Sequence, residues 1–387
     1  MSDHDGPVIV IGSGLAGYTA IRQLRELQKE RPITLVTADG GEFYSKPMLS
    51  NALAKQQTPD TLVQKTAEAR AAELNIRVLT RCRAGRIDPV ARKVFTDQGV
   101  LAYQALVLAT GAQQRVIAPA GAKPDWIHTV NSLDDFRVWH RRLQGVSRVL
   151  LIGAGLIGCE FADDLLSHGV AVVLVDLAPW PLPRLLPQQL GDALAGALRA
   201  RGAHLHLGCT IATLERREQG DYLARLGDGA TVHAELVLSA TGLVPNVALA
   251  KTAGLRCEQG IVVDRQLRSS DPHIYAIGDC AQTSAGPLPY IMPIMAQGRC
   301  LAQVLAGQDT QLSMKAMPVL VKTTSLPLVV CPPRAGAPGV WTVEGEGRDL
   351  AAVFHGPDGA ALGFAVSGKA LAQKNALTKL MPSLVGD

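Results

Sequence analysis

Short β-branched runs that end in glycine clusters and lead into helical periodicity recur along the chain. Val8 to Ile11 is an apolar run stopping at Gly12-Ser13-Gly14-Leu15-Ala16-Gly17, after which Leu15, Ile21, Leu24 and Leu27 fall along one side of a helix. Ile33 to Val36 then reads as a second buried strand. The order returns later: Arg148 to Ile152 predicts a strand, Gly153-Ala154-Gly155-Leu156-Ile157-Gly158 a turn, Cys159 to Ser167 a helix and Val170 to Val175 another strand. Two βαβ units about 140 residues apart are too distant for a solenoid repeat, so each nucleates a domain.

Leu106-Val107-Leu108-Ala109-Thr110-Gly111 and Leu236-Val237-Leu238-Ser239-Ala240-Thr241-Gly242 are a second pair of echoes, apolar strands that stop at Thr-Gly. Residues 112–147 and 243–260 then read as crossovers between domains. Pro272 to Cys280 predicts a strand ending in Gly-Asp, and Pro293 to Leu305 a helix. From about Leu312 the pattern becomes short β-like runs, Val319 to Lys322, Leu328 to Val330, Val340 to Val343 and Leu350 to Phe354, closed by a helix over 369–380.

With 387 residues, 47% apolar and 19% charged, the chain has room for two or three cored domains and no signature of disorder. A formal charge of +4 without a run of bases is too slight to imply a nucleic-acid footprint. The charge is uneven, with 20 bases and 14 acids in residues 1–150, so the first segment can attract an acidic partner. Seven cysteines without a CxxC pair give neither a disulfide framework nor a four-cysteine metal site, and fit a reducing compartment. Acids at Asp3 and Asp5 precede only a four-residue apolar run, the wrong order for a signal peptide, and no stretch nears the roughly 18 apolar residues of a spanning helix. The expectation is a soluble cytoplasmic protein without membrane insertion.

In the first unit Gly12 permits the tight turn, Gly14 lets a pyrophosphate approach the backbone, and Gly17 lets the helix pack on the strand. Gly153, Gly155 and Gly158 do the same in the second, where Asp176 closes the next strand 18 residues after Gly158. A carboxylate there accepts a hydrogen bond from a ribose 2′-OH and repels a 2′-phosphate, favouring NADH over NADPH; the alternative is an acid that merely caps a strand. In the first unit Thr37 or Asp39 meets the adenosine ribose. Asp279, beside Gly278, suits the hydroxyls of an extended ligand such as a ribityl chain, or simply forms a turn. Lys46, in Tyr44-Ser45-Lys46-Pro47, is either a solvated charge or a buried ammonium beside an isoalloxazine ring, with Glu160 as the candidate counter-charge. Lys322 is a second candidate cation, or an edge-strand charge. His204 and His206 lack a third ligand, so no metal site is assigned. Cys159 and Cys280 adjoin candidate residues but read as core thiols, and Met292 and Met295 flank Pro293 as core filler or flavin contacts.

With GSGLAG, YSKPMLS, VLATG, GAGLIGCE, SATG and IYAIGDC in that order, nearly the whole sequence resembles the two-dinucleotide-domain flavoprotein reductases of the glutathione reductase-like superfamily. The resemblance implies an α/β fold of two Rossmann-like dinucleotide-binding domains and a small α+β carboxy-terminal domain: FAD on residues 1–115 and 241–311, NADH on 116–240, and 312–387 near the flavin. It implies cofactor contacts at Ile11, Gly12, Ser13, Gly14, Gly17, Thr37, Asp39, Lys46, Ala84, Ala109, Thr110, Gly111, Gly242, Gly278, Asp279, Pro293 and Lys322 on the FAD side. On the NADH side it implies Gly153, Gly155, Gly158, Glu160 and Asp176, with Lys46 and Glu160 as the catalytic candidates. Ala84 enters as the backbone position expected against adenine. The CxxxxC and CxxC pairs of the disulfide reductases are missing, which excludes a dithiol relay, and Phe43 to Ser50 holds no peroxidatic cysteine. The SKPMLS, GLIGCEFADDL and VKTTSLPLVV segments resemble bacterial reductases of rubredoxin that serve alkane hydroxylation. They imply acidic rubredoxin as acceptor, on a protein for which a monomer is favoured. Reductases of [2Fe-2S] ferredoxin and flavin/NADH signalling proteins like apoptosis-inducing factor are the alternatives.

Overall fold

In the computed structural model, which describes residues 6–386, the two glycine-loop strands each lie at the centre of a five-stranded parallel sheet. Asp3 and Asp5 lie outside the described residues. The first sheet runs Ile274–Ala276, Ala105–Leu108, Val8–Ile11, Ile33–Val36, Arg77–Leu79. The second runs His204–Leu207, Ala171–Asp176, Arg148–Ile152, Leu236–Ser239, Ile127–His128. Register brings the ends of neighbouring strands level: Ile11 pairs with Val36 and Leu108, and Ile152 with Val175 and Ser239. The carboxyl ends of both sheets therefore form crevices of the kind that hold ligands in open α/β sheets. Every residue of Val8–Ile11, Ala105–Leu108 and Leu236–Ser239 is buried, as sheets covered on both faces require.

The first sheet takes its outermost strand from Ile274–Ala276, so the chain leaves it, builds the second sheet and returns. The outgoing and returning segments meet as an antiparallel ribbon in which Ala112, Gln113 and Gln114 pair with Pro245, Val244 and Leu243. They are not bare crossovers: residues 112–147 also contain helix Leu133–Arg142, capped by Ser132, and residues 243–260 contain helix Ala248–Thr252. Each half also carries a three-stranded antiparallel sheet that periodicity does not predict, Ala84–Asp88 with Lys93–Thr96 and Gly99–Ala102, and Ile211–Arg216 with Tyr222–Leu226 and Thr231–Ala234.

The carboxy-terminal unit is a five-stranded antiparallel sheet in the order Val319–Val321, Leu328–Cys331, Ala361–Ser367, Asp349–His355, Val340–Glu346. Its central strand, ALGFAVS, is absent from the four expected runs, because alanines and a glycine dilute the β-branched signal. The closing helix divides into a 3₁₀ segment, Gly368–Gln373, and an α segment, Lys374–Leu380. Helix Leu156–Ser167 begins three residues earlier than expected, and helix Ile291–Leu305 puts Pro293 in its first turn, where a missing N–H breaks no helical bond. One contiguous apolar core joins Leu49, Ala52 and Leu53 to Cys159, Ala162 and Leu165 and to Val321, Leu326 and Leu328, so three parts of the chain pack as one body. Among the described residues, no helix is long and apolar enough to cross a membrane.

Candidate functional site

The two glycine loops have the same geometry. Gly12 has φ +115° and Gly153 φ +107°; a Cβ on them would stand 2.2 Å from the Ala109 carbonyl oxygen and 2.6 Å from that of Ala240. Gly17 and Gly158 press helix against loop, with a Cβ falling 2.0 Å and 1.9 Å from the carbonyl oxygens of Gly12 and Gly153. Around Gly14 and Gly155 a Cβ would meet nothing within 4 Å. Both are helix N-caps without a side-chain hydrogen bond, and neither first turn contains an acid. Open space thus lies over available N–H donors at the positive end of each helix, a cradle that fits a pyrophosphate twice over.

Beyond the first cradle, Asp39 Oδ1 accepts from Ser13 Oγ (2.8 Å), Thr37 Oγ1 (2.6 Å) and Gly41 N (2.9 Å). Thr37 is buried and its hydroxyl is spent on this network, which also includes Ser13 at 2.9 Å, so Asp39 rather than Thr37 suits a ribose. The next loop is tied to the same place, Arg81 and Cys82 donating their N–H groups to the carbonyls of Asp39 and Thr37, and Ala84 comes two residues after Cys82. Ile11, the last residue of its strand, accepts the Ala109 N–H at 2.9 Å. Thr110 and Gly111 are clamped by Asn246: Thr110 Oγ1 donates to its carbonyl (2.9 Å), its amide Nδ2 returns a bond to the Thr110 carbonyl (2.8 Å), and its N–H reaches Gly111 (2.9 Å). The Thr241-Gly242 end is held likewise through Arg115. Gln297, one turn after buried Pro293, accepts the Gly278 N–H at 2.7 Å, while its fully buried Nε2 has no partner among the described residues. An orphaned donor beside the Gly278-Asp279 turn fits a polar ligand there.

At the second cradle Asp176 accepts from Ala154 N (2.5 Å) and Ala178 N (2.7 Å), one on each carboxylate oxygen. It caps the loop, and each oxygen keeps a second lone pair for a hydroxyl.

The charged pairing differs from the expectation. Glu160 is matched with Lys322, not Lys46: Lys322 Nζ stands 2.7 Å from Glu160 Oε2, and the Lys322 N–H donates to Oε1 at 3.1 Å. Ser50 Oγ donates to Oε2 at 2.6 Å, and the Lys322 ammonium also reaches Ser50 and the Pro47 carbonyl. The charge of Lys46 is felt instead by other carboxylates. Burial pulls its ammonium below the usual lysine range, against the opposing pull of Asp279 and then Asp135. Burial likewise pushes the Asp279 carboxyl up, with Lys46 opposing. Lys322 is thus paired with Glu160 beside the short Lys46–Asn51 3₁₀ turn, of which Lys46 is the first residue.

Cys159 and Cys280 are core thiols. Cys159 Sγ donates to the Ala154 carbonyl and Cys280 Sγ to those of Leu108 and Ile277, and burial pushes both thiols up. Met292 is exposed, whereas Met295 accepts a long bond, 3.6 Å, from Thr19 Oγ1. His206 lies 3.4 Å from Asp228 on the surface. Asn246, Gln297 and Asp135 escaped the sequence reading because no motif marks them.

Two cradles of like geometry, one on each parallel sheet, each fit the pyrophosphate of a dinucleotide. Residues 6–299 match the pyridine nucleotide-disulphide oxidoreductases, and the chain belongs to that family. Residues 311–381 match the rubredoxin binding C-terminal domain. The chain is 40% identical to a rubredoxin-NAD(+) reductase of Alcanivorax borkumensis over 98% of this chain and 99% of that one, and 40% identical to one of Acinetobacter baylyi over 98% of each. Its fold matches the putidaredoxin reductase in a covalent complex with putidaredoxin at a TM-score of 0.88 and 26% identity, covering 98% and 94% of the two chains.

Proposed function

We propose that the chain is an NADH-dependent flavoprotein reductase of rubredoxin, and that it feeds an alkane-hydroxylating system. FAD is the resident cofactor, and it supplies the conversion between the two-electron chemistry of NADH and the one-electron chemistry of an iron acceptor. The chain's residues supply binding, orientation and charge. The Gly12–Gly17 loop and its helix end hold the FAD pyrophosphate, Asp39 receives the adenosine ribose, and Asp279 receives the ribityl hydroxyls. The Gly153–Gly158 loop holds NADH, and Asp176 turns away a 2′-phosphate. Lys46 and Lys322 keep positive charge beside the reacting rings. In this reading residues 1–115 and 241–311 carry FAD, 116–240 carry NADH, and 312–387 dock the acceptor.

The observation that carries the acceptor is the rubredoxin-binding match over residues 311–381, which spans the antiparallel sheet whose edge delivers Lys322 to Glu160. Purified protein with FAD and NADH, offered rubredoxin and a [2Fe-2S] ferredoxin in parallel, tests it. Rubredoxin is expected to be reduced with at least about tenfold higher kcat/KM, which corresponds to about 1.4 kcal/mol of transition-state preference. A preference for the ferredoxin would transfer the assignment to the ferredoxin reductases.

A further inference from the structure

Helix Leu156–Ser167 carries three acids, Glu160, Asp163 and Asp164, at i, i+3 and i+4 on one face, with exposures of only 3%, 1% and 1%. Burying carboxylates is costly unless each oxygen is engaged. Here every oxygen is engaged, and almost wholly by distant segments. Asp164 accepts the N–H groups of Leu53 (3.1 Å) and Ala54 (2.7 Å), one per oxygen. Asp163 Oδ2 accepts both N (2.6 Å) and Oγ1 (2.7 Å) of Thr324, and its Oδ1 accepts Ser325 N (3.2 Å) and Arg201 Nη1 (2.9 Å). Glu160 adds Ser50 and Lys322. Within about one turn the helix grips residues 50–54, which follow Lys46, and residues 322–325 of the carboxy-terminal sheet. The amino end of the same helix is the second glycine cradle.

We propose that Asp163 and Asp164 are positioning residues, a latch that fixes the second cradle against the Lys46–Ala54 segment and the carboxy-terminal sheet, and so sets how NADH is presented to the flavin. This rests on the reading of the two cradles as NADH and FAD sites. Carboxylates are needed because only they offer acceptors on both oxygens; an asparagine would turn a donor NH₂ toward a backbone N–H. Geometry of this kind acts on rate more than on affinity, since a small misplacement of reacting groups is expensive.

The test compares the wild-type FAD-loaded protein with Asp164→Asn and Thr324→Val by stopped-flow reduction with NADH and by amide hydrogen exchange in the absence of NADH. Asp164→Asn is expected to slow hydride transfer at least about tenfold, to leave the Kd for NADH within about twofold, and to speed exchange in residues 50–54 while Val149–Leu151 keep their protection. Thr324→Val deletes the hydroxyl that donates to Asp163 and accepts from Arg201 Nη1, keeps both acids, and is expected to slow transfer about threefold and to loosen residues 322–325. If Asp164→Asn does not fold or retain FAD, Thr324→Val decides. Wild-type transfer rates and wild-type protection in a folded variant would overturn the latch. Should NADH fail to reduce even the wild-type protein, the functional reading falls, while the exchange measurement still judges the latch.

Discussion

At the scale of single residues, the two decisive acids are Asp176 and Glu160. Asp176 holds loop amides with both oxygens and faces the second cradle with negative charge. Replacing it with Arg removes the repulsion and offers a cation, so the ratio of kcat/KM for NADPH to that for NADH is expected to rise at least about tenfold; an unchanged ratio would contradict the assignment. Glu160 is the buried half of an ion pair whose Lys322 is 24% exposed. Glu160→Ala leaves that ammonium uncompensated and is expected to cost about 3 kcal/mol in denaturant unfolding, whereas the double variant with Lys322→Met recovers much of the loss. A single variant as stable as the wild type would mean the pair is merely tolerated. The sequence marks Lys46, Glu160 and Lys322 as chemically interesting, yet it does not reveal their pairing. Glu160 and Lys322 are 162 positions apart, and only the packing of the carboxy-terminal sheet brings them together.

Among the elements, helix Leu156–Ser167 shows how a buried titratable group loads a structure. Burial lifts the Asp164 carboxyl to about 6, with Asp163 pushing the same way and the N–H groups of Ala54 and Leu53 and His168 opposing. Because its folded pKa lies above the unfolded value of about 3.9, the folded state binds the proton more tightly, and this group's contribution to stability falls as pH rises from about 4 to 6. Denaturant midpoints at pH 5 and pH 7 are therefore expected to show the wild type losing ground, on rising pH, to Asp164→Asn, which does not titrate at this site. A constant or reversed difference would contradict this. The glycine loops and their strands are legible in the sequence because strand, turn and helix each leave a distinct period. Strand Ala361–Ser367 and the two small antiparallel sheets are not, since short strands with exposed or alanine-rich faces owe their conformation to cross-strand neighbours. The acids at i, i+3 and i+4 of an otherwise apolar helix were a readable signal, because charges on a buried face require partners.

For the whole molecule, charge and connectivity act together. The chain leaves the first sheet, builds the second and returns through the Ala112–Gln114 and Leu243–Pro245 ribbon, while a shared apolar core packs the unit of the rubredoxin-binding match against helix Leu156–Ser167 of the second cradle. Lys369, Lys374 and Lys379 are exposed on the carboxy-terminal unit. With an acidic acceptor, kcat/KM for rubredoxin is expected to fall roughly tenfold between low salt and 0.5 M salt, while reduction of the flavin by NADH changes little; salt-independent kinetics would remove electrostatic docking. The most direct measurement is an anaerobic titration of the purified, FAD-reconstituted protein with NADH in the presence of excess rubredoxin. The protein should be yellow, and each NADH oxidised should leave two rubredoxins reduced, since a hydride delivers two electrons to one-electron acceptors. A folded protein that stays colourless after reconstitution, or NADH that leaves rubredoxin oxidised, would contradict it.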